Sequence, residues 1–184
     1  PNLGFVQCQE SQIQSLDFSN NQNLEEVYAF NTPLASIHLP NNPNLEYMEI
    51  FNNQLTELDL TNCPALWYLQ CSNNLLTSLN LSGNPLIEEL RCDNNQLTDI
   101  NLTQNTVLNY LGAGYNLFST EIDFSNNSSL ETLGLGFNPL TTVDVSNCPN
   151  LTFISCWGAT LTEIDLSQNI ILETADCFQC PNLQ

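Results

Sequence analysis

Five of the eight cysteines in this chain fall on one arithmetic ladder. Cys71 and Cys92 are 21 residues apart, as are Cys156 and Cys177; Cys8 and Cys71 are 63 apart, three times 21, and Cys92 and Cys156 are 64 apart, three times 21 plus one. A chain that counts in units of 21 is a tandem repeat, and units of about 20 to 50 residues stack on one another because none can bury its apolar face alone. One inserted residue must then lie between positions 92 and 156. The same spacing weakens a disulfide framework and a zinc site. The single CxxC pair, Cys177-Phe-Gln-Cys180, has no second pair to complete a tetrahedral ligand set. Cysteine reads instead as a small apolar side chain buried between neighbouring units.

Setting unit position 1 at an apolar residue places the starts at Leu3, Leu24, Leu45, Leu66, Ile87, Leu108, Leu130, Leu151 and Leu172. The consensus is LxxLxCxxNxLTxLDLSxNxx. The unit from Leu108 is one residue longer than the rest, with the extra one between Phe118 and Ile122, where the cysteine count requires it. The last unit stops early, at Gln184. Residues 1–184 thus read as a single domain of eight repeats of about 21–22 residues plus a partial ninth. Because the chain begins at Pro1, without an initiator methionine, it reads as a fragment of a larger protein.

Apolar residues alternating at positions 4 and 6 predict a short strand with one face inward. The TxLDLS half of the unit also has the period of a strand, and so short a unit leaves little room for a helix after two extended segments. Two asparagine columns recur. Asn53, Asn74, Asn95, Asn116 and Asn138 stand at position 9; Asn21, Asn42, Asn84, Asn105, Asn127 and Asn169 stand at position 19, where Cys63 and Cys148 substitute. Pointing inward, they would bond loop backbone groups otherwise buried without partners, a structural role.

The pattern Leu66-x-x-Leu69-x-Cys71-x-x-Asn74-x-Leu76 resembles the signature LxxLxLxxNxL of the leucine-rich repeat family. The resemblance covers essentially the whole chain. Its length and TxLDLSxN half look most like bacterial 21-residue surface repeats, of the kind seen in Bacteroidetes and, more distantly, internalins. Ser11, Thr32, Ala159 and Cys180 depart from the asparagine site, so the end units are expected to be less regular. The resemblance implies a right-handed solenoid, mostly β, with a parallel sheet on the concave face, second short strands on the opposite side and little or no helix. It also implies an extracellular or cell-surface bacterial protein that binds a protein partner, with other domains flanking the repeats.

Composition removes whole classes of function. The chain has 31 Leu and 28 Asn but one Arg, no Lys and one His, and a net charge of -19. It cannot neutralise a phosphate backbone, which excludes nucleic acid, nor adhere to anionic membrane surfaces. No apolar run reaches the roughly 18 to 20 residues of a spanning helix. A serine triad would have to use His38, which stands without a partner motif. Carboxylate pairs such as Glu88 and Glu89 lie on an open sheet without the apolar pocket that separates acid from base. Neither a P-loop nor HExxH is present. No enzyme, cofactor or metal is expected. The acidic column Asp17, Asp59, Asp123, Asp144 and Asp165 raises the thought of calcium, but it lacks an EF-hand pattern and reads as a solvated acidic surface.

Once the register is set, the outward positions of the first strand and the turn after it carry thirteen of the sixteen aromatic residues: Phe5, Tyr28, Phe30, Tyr47, Phe51, Trp67, Tyr68, Tyr110, Tyr115, Phe137, Phe153, Trp157 and Phe178. Phe18, Phe118 and Phe124 fall at or beside core positions. Large rings on a solvated sheet face mark binding surfaces, and tyrosine and tryptophan dominate binding hot spots. The candidate ligand-binding set is Tyr28, Phe30, Tyr47, Phe51, Trp67, Tyr68, Glu89, Arg91, Tyr110, Tyr115, Phe137, Phe153 and Trp157. Gly112, Gly114, Gly134 and Gly136 are expected to empty a shallow trough between Tyr110, Tyr115, Phe137 and Trp157, since strand glycine often marks the approach of a ligand or another backbone. Arg91 is expected to bridge to Glu89, Asp93 or Glu49. A protein partner is the first reading; a neutral glycan on the same face, a passive spacer, and rings that merely stack to stabilise the sheet are the alternatives.

Overall fold

A computed structural model describes residues 2–183. Nine parallel strands form one sheet: β1 (Phe5–Gln7), β3 (Glu26–Tyr28), β5 (Tyr47–Glu49), β6 (Tyr68–Gln70), β7 (Glu89–Arg91), β8 (Tyr110–Gly112), β9 (Thr132–Gly134), β10 (Phe153–Ser155) and β11 (Thr174–Asp176). Each strand pairs with the one a full repeat away. Val6 faces Val27, Tyr47 faces Tyr68, and only across the long unit does the partner shift by one further residue, with Tyr110 opposite Thr132. Each repeat therefore completes one coil, and no helix occurs among the described residues.

The middle residue of each strand points inward. Val27, Met48, Leu69, Leu90, Leu111, Leu133 and Ile154 are fully buried, and each such side chain contributes about 1.5–3 kcal/mol. Position 6 sits beside them and holds Ala29, Ile50, Cys71, Cys92, Ala113, Leu135 and Cys156, also fully buried. All eight cysteines are free thiols. Burial pushes the Cys71 and Cys156 thiols up to about 12, so they pack as apolar groups rather than react. In the last coil Ala175 is exposed and Leu172 half-buried.

Both asparagine columns point inward, but they are bonded differently. Asn95 donates from Nδ2 to the carbonyls of Cys71 and Cys92, both at 3.1 Å, and its Oδ1 accepts from the Leu76 N–H at 3.0 Å. Asn74 and Asn116 repeat this pattern one coil to either side. Each position-9 side chain thus ties two coils together with both ends of its amide. At position 19 only the donor end is used: Asn105 Nδ2 reaches the Asn84 carbonyl at 2.8 Å, while the Oδ1 atoms of Asn42, Asn84, Asn105, Asn127 and Asn169 are buried without a partner. That is why cysteine can replace asparagine at 63 and 148 but leaves the middle of the position-9 column untouched.

The second strands depart from expectation. Among the described residues only β2 (Ser15–Asp17) and β4 (Ser36–His38) pair there, in a separate two-stranded sheet. In later coils the corresponding segments form no ladder.

Position 8 holds a left-handed backbone in every complete coil. Glu10, Asn31, Asn52, Asn73, Asn94, Tyr115, Phe137 and Gln179 have φ between 51° and 58°, and Gly158 has φ 72°. This is the turn that carries the chain off the sheet edge. Asparagine tolerates the conformation; a bulky ring there is an outlier.

Candidate functional site

The register sets out the sheet face in columns. Position 3 runs Phe5, Glu26, Tyr47, Tyr68, Glu89, Tyr110, Thr132, Phe153, Thr174; position 5 runs Gln7, Tyr28, Glu49, Gln70, Arg91, Gly112, Gly134, Ser155, Asp176. None of the thirteen outward rings is buried, whereas Phe18, Phe118 and Phe124 all are. The face nevertheless divides into three parts that differ in chemistry.

In the first coils the rings largely satisfy one another. Tyr47 and Tyr68 stack at 4.3 Å and 4°, Phe30 and Phe51 at 4.6 Å and 6°, and Tyr28 lies 5.3 Å from Tyr47. The Tyr28 hydroxyl donates to Glu26 at 3.0 Å and that of Tyr47 to Glu49 at 2.7 Å. Loss of solvent, followed by these carboxylates, raises both phenols above their usual range. Tyr28, Tyr47 and Tyr68 therefore act first as cross-strand pairs of the sheet. Trp67, 37% exposed, packs its edge on Tyr47 and Tyr68, and Phe5, 50% exposed, starts the row 5.4 Å from Tyr28.

The centre is polar. The Arg91 guanidinium lies 4.3 Å over the Tyr110 ring and 3.6 Å from Glu89. Of the three expected carboxylates, Glu89 is the one that pairs. Tyr110 is thereby withdrawn from the trough it was expected to wall, a correction to the sequence reading: its ring serves the only basic side chain on the face.

The trough itself lies in the later coils, as a depression of about 180 Å³ lined by Asp93, Gly114, Tyr115, Gly134, Gly136, Phe137, Ser155 and Trp157. Tyr115 and Phe137 stack at 4.3 Å and 16°, and Trp157 sits 5.4 Å beyond Phe137, its indole N–H donating to Gln179. Phe178 continues the row at 6.0 Å from Trp157, and Phe153 stands exposed on the strand itself. Tyr115 is 52% exposed and Trp157 41%.

The glycines prove to have two origins. A Cβ at Gly112 would fall 2.7 Å from Asp93 Oδ2, one at Gly114 3.3 Å from Asp93 Oδ1, and one at Gly136 2.9 Å from the Trp157 carbonyl. At Gly136 the obstacle is backbone, so glycine is required there by the protein's own packing; at Gly112 and Gly114 the Asp93 carboxylate lies across the space a side chain would take. Only at Gly134 is the space open, with nothing nearer than 3.7 Å. Asp93, which sequence reasoning counted as one acidic residue among several, is the organising group: its Oδ1 accepts from the Gly114 N–H at 2.9 Å, and Ser72 Oγ donates to Oδ2 at 3.3 Å.

On the opposite side, the acidic column is a column of turns. Asp17, Asp59, Asp123, Asp144 and Asp165 each accept the N–H two residues ahead at 2.8–3.0 Å, and Asn80 and Asn101 do the same. These bonds hold the five carboxyls below the usual carboxylate range. Larger depressions, of about 450 and 410 Å³, lie between successive coils there. They are open gaps whose aspartates are already spent on turns, and His38 borders one of them at the sheet β2/β4. Among the described residues no three His, Cys, Asp or Glu side chains gather into a group able to hold a metal ion. No helix there is long and apolar enough to cross a membrane.

No protein-family model matches the chain, and no curated protein does. Solved structures do. The functional domain of InlJ from Listeria monocytogenes, which includes a cysteine ladder, is 28% identical over 99% of this chain and 50% of its own, with a TM-score of 0.64. A leucine-rich repeat protein of Leptospira interrogans is 19% identical over 97% of this chain and 53% of its own, with a TM-score of 0.85. The Listeria internalin InlF is 24% identical over 86% and 56%, with a TM-score of 0.69. The chain spans about half the length of these structures.

Proposed function

We propose, from the premise that this chain is a leucine-rich repeat solenoid, that it is a non-catalytic recognition module whose sheet face binds a protein partner. The observation that carries this reading is the placement of the rings. Thirteen of sixteen aromatics stand on one face, and two of them, Tyr115 and Phe137, occupy a left-handed position that asparagine fills in the four preceding coils. Rings are not needed there to build the coil. Backbone outliers of this kind cluster at ligand-contacting sites, and Trp67, Tyr115, Phe153 and Trp157 keep much of their surface in solvent. The internalin-like neighbours support a recognition role and a bacterial surface or secreted location. Flanking segments of the parent protein fit a chain that spans half of such structures.

A neutral glycan is the second reading, supported by the exposed Trp157 indole and by a face almost without cations. The two are separated by probing the folded chain against arrays of extracellular proteins and of neutral polysaccharides. Protein binding that falls at least tenfold in Trp67→Ala/Trp157→Ala but not in Asp144→Ala supports the proposal. Glycan binding lost in the same double variant, with no protein captured, would replace it. Binding insensitive to every substitution on the face would end both.

A further inference from the structure

We infer that the trough is a subsite for one basic side chain, lysine or arginine, of the protein partner. This rests on the recognition reading above and makes it specific. Position 7 of four successive coils reads Asp93, Gly114, Gly136, Trp157, with β7 to β10 in register. The Asp93 carboxylate, which reaches over Gly114, closes one end and the Trp157 indole the other, with no side chain at the two glycine positions between them. At a strand spacing of about 4.8 Å the two end columns lie roughly 14 Å apart. Tyr115 and Phe137 wall one flank, and Gly134 with Ser155 forms the other.

That outline matches an amphipathic side chain lying along the column. Its methylene stem rests on apolar walls while its charged head reaches a carboxylate. The volume of about 180 Å³ falls below the roughly 300 Å³ at which pockets begin to enclose whole small molecules, so it suits a single side chain. The face already shows the arrangement once: Arg91 is held between the Tyr110 ring and the Glu89 carboxylate. Beginning in the same coil, rings and a carboxylate recur at the neighbouring positions, and Asp93 has no cationic partner among the described residues. The chain has no lysine and no second arginine to supply one. A net charge of -19 favours a basic segment as the partner.

The test uses the full chain carrying Trp67→Phe, which leaves Trp157 as the sole tryptophan. Its emission is followed while acetyl-Gly-Lys-Gly amide, the arginine counterpart and the norleucine counterpart are titrated in at low salt. A saturable change with the two basic peptides is expected, at least tenfold weaker with norleucine. Asp93→Asn should weaken it at least tenfold, because asparagine still accepts the Gly114 N–H but carries no charge. Gly134→Val should abolish it without unfolding, since a Cβ there meets no neighbour closer than 3.7 Å. Equal responses to lysine and norleucine, indifference to Asp93→Asn, no saturable change, or displacement by neutral oligosaccharides would each overturn the inference. A protein partner found by array that still binds Asp93→Asn and Gly134→Val, yet is lost on Trp67→Ala, would overturn this subsite while leaving the recognition face intact.

Discussion

Replacing Tyr115 by asparagine removes a large ring and should cost the fold almost nothing. Tyr115 has φ 51°, while the same position in the four preceding coils is Asn31, Asn52, Asn73 and Asn94 at φ 54–57°. A left-handed backbone costs an ordinary L-residue about 1–2 kcal/mol, a penalty asparagine largely avoids. Against that gain stand the stack on Phe137, about 0.5–1.5 kcal/mol, and the burial of the covered half of the ring, about 1 kcal/mol. Asn94 Nδ2 already donates to Asn73 Oδ1 at 2.6 Å. A new asparagine at 115 would stand one coil further on, placed to extend that row. The terms cancel to within about 1 kcal/mol. Leu133→Ala, deleting a fully buried side chain, should by contrast cost about 2–5 kcal/mol. Urea unfolding followed by circular dichroism and by tryptophan emission measures both. A loss above about 2 kcal/mol in Tyr115→Asn would show that the ring is a pillar of the sheet, and the strain argument for a recognition role would fail.

The two asparagine columns should respond unequally. Asn95→Ala leaves the buried Leu76 N–H without an acceptor and removes one of the two asparagine donors from each of the carbonyls of Cys71 and Cys92, and should cost about 2–4 kcal/mol, whereas Asn105→Cys, which removes an already orphaned oxygen, should cost about 1 kcal/mol; equal losses in urea titrations would contradict the bonding described. On the acid side, carboxyls held low by their turn bonds make the column Asp17 to Asp165 stabilising above the usual aspartate value of about 4, and that contribution is lost as pH falls through the lower folded values. Melting temperature should therefore drop below about pH 4, and less so in Asp123→Asn/Asp144→Asn. On the alkaline side, thiols pushed up to about 12 at Cys71 and Cys156 keep their protons after the unfolded chain has released them, so stability declines as pH rises above about 9. The same two thiols should resist alkylation at pH 8 until urea is added; rapid labelling of folded protein would refute their burial.

Much of this was legible because a fixed period assigns every residue an inside or an outside. The repeat count placed Leu69, Cys71 and Asn74 in the core and Trp67, Tyr68 and Trp157 on the face, and the structure has them there. What resisted reading depends on contacts between coils. Whether β2-like segments pair is settled between coils, which no single repeat encodes. Gly112 and Gly114 lie under the Asp93 carboxylate, about one repeat away, a contact the sequence does not announce. Tyr110 leaves the trough because Arg91 chooses it. Two signals do lie in the sequence: the Asp-x-Ser/Thr wording of the acidic column already spells a turn, and asparagine recurring at 31, 52, 73 and 94 already marks a left-handed position, against which Tyr115 and Phe137 stand out.

Since each coil bonds only to its neighbours, the sheet is a ruler graduated in single repeats. Trp67 and Trp157 sit four marks apart, roughly 19 Å at about 4.8 Å per mark. Excising one whole repeat between them would move the two indoles a single graduation closer while leaving the surroundings of each unchanged. A partner that touches both would then feel the change as distance alone, and a lineage that gains or sheds repeats can resize its grip without redesigning either fingertip.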